Sequence, residues 1–222
     1  MCASVKISSD LLPFSGKTIS YIRNTILSYN GVFKRDGKYY DLRKYSHILL
    51  QFGTVDVLTL FEEGVLDMVP PTSMCKCILN LCATIHKITP YSIILVSTIL
   101  PIPKYPSTLT FIKEVNALVA SELKYASRII PVNSFSTFMV DKIEIRSGLF
   151  DEFELHLNSS GANALARRYR QAFHPDYVSD ILVKHHRAKK RRKAHEDRSK
   201  WGNETFVSED KGSVYPYIFL DQ

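Results

Sequence analysis

The segment 46–56, SHILLQFGTVD, constrains the fold of this chain more than any other. Ile48, Leu49, Leu50 and Phe52 form an apolar run of strand length that stops at Gly53. A run without polar alternation suits a strand covered on both faces of a parallel sheet. In open α/β sheets, functional groups collect just past the carboxyl ends of such strands. That position holds Gly53-Thr54-Val55-Asp56, where a small residue lets backbone amides approach a ligand and an acid follows. The competing reading of these four residues is a tight turn after a core strand.

The rest of the chain repeats strand, loop and helix. Residues 3–8 alternate as a strand does, and Ser15-Gly16-Lys17-Thr18 is a turn opening a helix over 18–29, with Ile19, Ile22, Ile26 and Leu27 as its apolar stripe. Residues 30–38, with two glycines, read as a polar loop, and 61–68 as a short helical or irregular piece closed by Pro70-Pro71. A helix over 72–88 turns Met74, Ile78, Leu81, Cys82 and Ile85 inward. The stretch 92–100, SIILVSTIL, is β-branched and stopped by Pro101 and Pro103, as a strand would be. A helix over 108–124, a short strand over 129–132 ending in Asn133-Ser134, a loop over 142–155 and a last helix over 159–173 complete the pattern. This order predicts a parallel sheet with helices on both faces and right-handed crossovers.

Charge divides the chain. Residues 184–200, KHHRAKKRRKAHEDRSK, hold 9 Lys/Arg against 2 Asp/Glu, which leaves 20 basic and 20 acidic residues elsewhere, from totals of 29 and 22. The whole net charge of +7 therefore lies in one segment. Such a block suits phosphate neutralisation or a nuclear import signal, through Lys184, Arg187, Lys189, Lys190, Arg191, Arg192 and Lys193, and equally suits a solvated tail. It lacks the interleaved aromatics of a single-strand stacking surface. No run of 18 apolar residues and no basic-then-apolar leader is readable, so an intracellular protein without a membrane span is expected, with a nuclear location open. Cys75, Cys77 and Cys82 form a C-x-C-x4-C run that matches none of the usual zinc spacings, so free thiols, no metal and no cofactor are expected.

His156 is the most informative single residue. It stands in Glu154-Leu155-His156-Leu157-Asn158-Ser159-Ser160-Gly161, just before a helix that Asn158 or Ser159 could cap. From the last βα connection of such a sheet, a histidine can face the same edge as Gly53. Packing at a helix start is the plainer use of the same residue. Three features thus occur in order: the Ser15-Gly16 turn, Gly53-Thr54-Val55-Asp56, and a late His-Leu-Asn-x-x-Gly.

With these features, 3–173 resembles the SGNH/GDSL hydrolases, and more narrowly the SGNH-like domains in open reading frames of mobile elements. The resemblance implies a flavodoxin-like three-layer α/β sandwich and esterase-type chemistry. It also implies Gly16 and Gly53 in the oxyanion-hole region, His156 as general base, and an Asp three residues before the His to orient its ring. The chain departs from the family in three places. Family members begin with a strand carrying Gly-Asp-Ser, and this chain is expected to start too late to contain it. Ser8 and Ser9 lie only eight and seven residues before Gly16, too close for a strand, a nucleophile turn and a helix to intervene. The oxyanion Asn of Gly-x-Asn-Asp is replaced by Val55, and one lost oxyanion donor costs about 10²–10³ in turnover. The position three before His156 is Phe153, while Asp151 lies five before and Glu152 four before. Asp151 is left as the acid to pair with His156.

The resulting expectation is an incomplete SGNH-hydrolase-like domain over 1–175, catalytically degenerate, and a basic, disordered tail over 176–222. The alternatives are a working ester hydrolase whose nucleophile comes from elsewhere, and a non-enzymatic nucleic-acid-associated protein that uses the domain as a scaffold.

Overall fold

A computed structural model describes Phe14, 16–35, 37–124, 126–141, 143–174 and eight further positions from Asp176 to Lys193. The elements are α1 (Ile19–Ser28), β1 (Val32–Arg35), β2 (Lys38–Asp41), β3 (His47–Leu50), α2 (Thr54–Glu62), α3 (Pro71–Ile88), β4 (Ile93–Ser97), α4 (Leu109–Leu123), β5 (Ile129–Val132) and α5 (Ser159–Ala172). Strands β3, β4 and β5 form a parallel sheet in that order, with His47 opposite Ile93 and Ile94 opposite Ile129. The expected strand over 3–8 lies outside the described residues.

Alternation along the strands sends side chains into two cores. Ile48, Leu50, Ile94, Val96 and Ile129 pack with α1, α2, α3 and α4, while Leu49, Leu95, Ile130 and Val132 pack against Tyr169, Ala172 and Phe173 of the α5 side. The architecture is therefore the three-layer α/β sandwich, four helices on one face and α5 on the other. Ile94, Leu95 and Ile130 are fully buried. A side chain of this kind contributes about 1.5–3 kcal/mol when taken out of water.

Two expectations are corrected. Residues 30–38 are not a polar loop: β1 and β2 pair there as an antiparallel hairpin, Val32 opposite Asp41 and Arg35 opposite Lys38. The signal was present in Asp36-Gly37, a favoured hairpin turn between two strand-like runs, and Gly37 has the positive φ (+78°) such turns demand. Phe33 and Tyr40 stack across the hairpin at 6.1 Å, and Phe14 packs on Phe33 at 5.9 Å, so the sheet of two is held to the entrance of α1. Helix α2 also begins earlier than expected, directly at Thr54, so Gly53 is the residue that caps it rather than a turn followed by irregular chain.

The last helix is positioned by its own cap. Asn158 Oδ1 accepts from the amides of Ser160 and Gly161, while its Nδ2 donates to the carbonyls of Gly148 and Phe150, locking the preceding loop to the first turn of α5. Gly161 sits against that loop so closely that a Cβ would lie 2.0 Å from the Leu149 carbonyl oxygen. Backbone cannot yield as a flexible side chain can. Gly161→Ala is therefore expected to destabilise by about 1–3 kcal/mol, read as a lower urea midpoint with unchanged slope.

Helix α3 buries Cys75 and Cys82 and exposes Cys77, and all three are free thiols. Burial pushes the Cys82 thiol up to about 12, and burial with Glu122 nearby raises that of Cys75. Thiolate is the reactive form. In a Cys2→Ser background, a thiol reagent at pH 8 should modify one cysteine of the folded protein quickly, Cys77, and the other two only after denaturant is added. Equal rates at all three would contradict the inward face assigned to α3.

Candidate functional site

The turn that follows β3 holds the glycine and the acid that the sequence marked. Gly53 has φ +98°, and a Cβ there would come within 2.7 Å of Ile99 Cγ1 and 2.9 Å of its Cδ1, so both backbone and space require glycine. In the first turn of α2, Asp56 accepts the Ile19 amide with both oxygens at 3.1 Å. This ties the start of α1 to the start of α2. Burial raises the Asp56 carboxyl above its usual range, with the Ile19 amide pulling the other way. Gly16, three residues before Ile19, is exposed with φ +68°. The Gly16 and Gly53 turns are thus joined through Asp56. Val55 supplies no side-chain donor, and its carbonyl accepts the Thr59 hydroxyl at 2.9 Å.

His156 lies in a tight loop closed by the Phe150–Leu157 bridge. Asp151 N donates to the His156 carbonyl at 2.8 Å, and Asp151 Oδ1 accepts from the amides of Leu155 (3.2 Å) and His156 (3.3 Å). Glu154, at φ +55°, makes the reversal, and its carbonyl accepts from Lys104 N at 3.3 Å, which fastens the loop to the chain leaving β4. Asp151 and His156 are therefore brought together through the His156 backbone. The His156 imidazole is exposed and has no hydrogen-bond partner among the described residues. Phe153 is exposed at the family's acid position.

Sequence reasoning missed a second polar group at the same end of the sheet. The Ser97 hydroxyl, at the end of β4, is bonded to that of Ser134, just past β5, at 2.8 Å, and both residues are buried. Tyr169 of α5 reaches the same Ser97 oxygen at 3.2 Å and is also bonded to Gln51 Oε1, just past β3. One side chain from each strand end and one from the covering helix thus form a continuous network. Burial pushes the Tyr169 phenol up to about 12, with the Ser97 and Ser134 hydroxyls opposing, so it stays neutral at physiological pH. The legible signal was a polar residue at the end of each apolar run. Nothing in the linear pattern tells that Tyr169 meets them.

Of the basic residues singled out, Arg187, Lys190, Arg191 and Lys193 are helical and exposed, and Lys184, Lys189 and Arg192 lie outside the described residues. Among the described residues no cluster of three or more His, Cys, Asp or Glu side chains could hold a metal ion, and no helix is long and apolar enough to cross a membrane.

No protein-family model and no curated protein matches the chain. Among solved structures, it is similar to a Streptococcus pneumonia protein provisionally described as a platelet activating factor, with a TM-score of 0.53 and 14% identity over 72% of this chain and 69% of that one. At that identity the likeness speaks for the fold alone. It agrees with the α/β sandwich described above.

Removing the Tyr169 hydroxyl breaks its bonds to Ser97 and Gln51 while leaving the ring packing in place; Ser97 keeps Ser134 as a partner and Gln51 is exposed. The loss is therefore that of a net hydrogen bond, about 0.5–1.5 kcal/mol, and Tyr169→Phe should lower unfolding free energy by that amount in urea melts. No loss would mean that the network is not formed in solution.

Proposed function

We propose that this chain is an SGNH-hydrolase-like domain that has kept the family's scaffold and lost its catalysis, of the type found in mobile-element reading frames. The observation that carries this reading is the state of His156. A general base in this chemistry needs an acid on the far ring nitrogen to hold its tautomer and to stabilise the imidazolium that forms. Asp151 Oδ1 accepts from two loop amides, and the exposed His156 ring has no hydrogen-bond partner among the described residues. Val55 removes one oxyanion donor as well. The two glycine turns and the sandwich around them are what the fold retains. The domain is read as 1–175, with the basic segment beyond it as a separate, phosphate-attracting tail compatible with nuclear import.

Initial rates on a short-chain activated ester test the reading. The full chain and its His156→Ala variant should hydrolyse it equally, at the rate that exposed surface nucleophiles give. Turnover that disappears with His156 would establish a working hydrolase and overturn the proposed loss.

A further inference from the structure

The neutrality of the chain outside 184–200 conceals a strong asymmetry. Residues 14–45, which span α1 and the β1–β2 hairpin, hold seven basic residues (Lys17, Arg23, Lys34, Arg35, Lys38, Arg43, Lys44) against two acids, Asp36 and Asp41. This unit carries +5, so the remainder outside 184–200 carries −5. Asp41 is engaged by Arg43 at 2.8 Å, which leaves the other cations without that acid as a competitor.

The same unit displays aromatic rings to solvent. Tyr39 is 76% exposed, Tyr29 60% and Tyr21 48%. Tyr39 lies directly across the hairpin from Lys34, whose ammonium is 5.4 Å from the ring centre. Tyr21 and Thr25 on α1 and Tyr29 at its C-cap recur every four residues, and Lys17, just before the helix, holds its ammonium 4.9 Å from the Tyr21 ring centre. Neither set of rings is needed for packing. The hairpin's inner face is already filled by Phe33 and Tyr40, and α1 is held by Ile19, Ile22 and Ile26. An exposed ring with an ammonium over one face, repeated on α1 and on the hairpin, offers its other face to a base and the cation to its phosphate. A duplex hides its base faces and would use only the charge.

We propose that the outer surface of α1 and the β1–β2 hairpin binds single-stranded nucleic acid, with bases stacked on Tyr39, Tyr21 and Tyr29 and phosphates met by Lys34, Lys38 and Lys17. This surface is distinct from the 184–200 block, and it does not depend on whether the sheet end hydrolyses esters.

Fluorescence anisotropy with the full chain and labelled 20-mers of oligo(U), oligo(dT) and a mixed duplex at fixed salt tests the proposal. Tyr39→Ala should weaken single-strand binding roughly five- to a hundredfold, Tyr39→Phe should stay within about twofold, and duplex binding should be little changed by either. Tyr21→Ala should weaken single strands in the same sense. A variant with Lys189, Lys190, Arg191 and Arg192 changed to Ala should retain the Tyr39→Ala effect, with circular dichroism confirming that each variant is folded. The proposal falls if Tyr39→Ala binds single strands as the unaltered protein does, if it weakens duplex equally, or if the four-residue tail variant abolishes all binding. Displacement of the oligonucleotide by polyglutamate at equal charge concentration would point instead to an acidic protein partner and would also overturn it.

Discussion

Strand β4 is the constraint on which the other elements depend. It is hydrogen-bonded on both edges, to β3 and to β5, and covered on both faces, with Ile94 and Val96 in one core and Leu95 in the other. A parallel sheet of this kind has no face to give to water, so helices must lie on both sides and each connection must cross over. The four-helix layer and the opposed α5 follow from that requirement. Helix α5, which shares its core with Val178, is held by an apolar contact, by the Asn158 cap and by the close approach of Gly161 to Leu149.

The same strand geometry concentrates polar chemistry at one end. Where β3, β4 and β5 run out, Gln51, Ser97 and Ser134 stand at the strand ends, and Tyr169 bonds to Gln51 and Ser97. This network serves cohesion: its hydroxyls satisfy one another, and the Tyr169 phenol stays neutral. The Gly16 and Gly53 turns lie at the same end but are organised by a different group, the Asp56 carboxylate on the Ile19 amide. The end of the sheet thus combines a satisfied polar core with turns whose glycines are demanded by backbone conformation and by packing on Ile99.

Charge is distributed on a different plan from packing. The sheet and its other helices are neutral in sum, yet α1 and the hairpin carry an excess of cations beside exposed tyrosines, and the compensating acids lie in the sequence beyond residue 175, in 176–183 and 201–222. Long-range potential depends on where charges sit rather than on their sum. Counting a neutral total outside 184–200 therefore misses the field that this one unit projects.

The sequence by itself determined the parts of the fold governed by local periodicity. The three parallel strands, the inward stripe of α3 through Met74, Ile78, Leu81, Cys82 and Ile85, and the capping of α5 at Asn158 or Ser159, of which the structure uses Asn158, were legible because apolar spacing and cap chemistry are local properties. The hairpin was legible too, in Asp36-Gly37, but its charged, tyrosine-rich strands resemble a loop when only apolar content is weighed. Tertiary structure alone decided the rest. That Asp56 holds Ile19, that Asp151 faces loop amides instead of the His156 ring, and that Tyr169 joins three strand ends depend on contacts between residues distant in the chain or on the exact path of an irregular loop. Neither is encoded in spacing. A side chain's partner is set by where the packed elements place it, and the pattern of residue types specifies the elements well before it specifies their contacts.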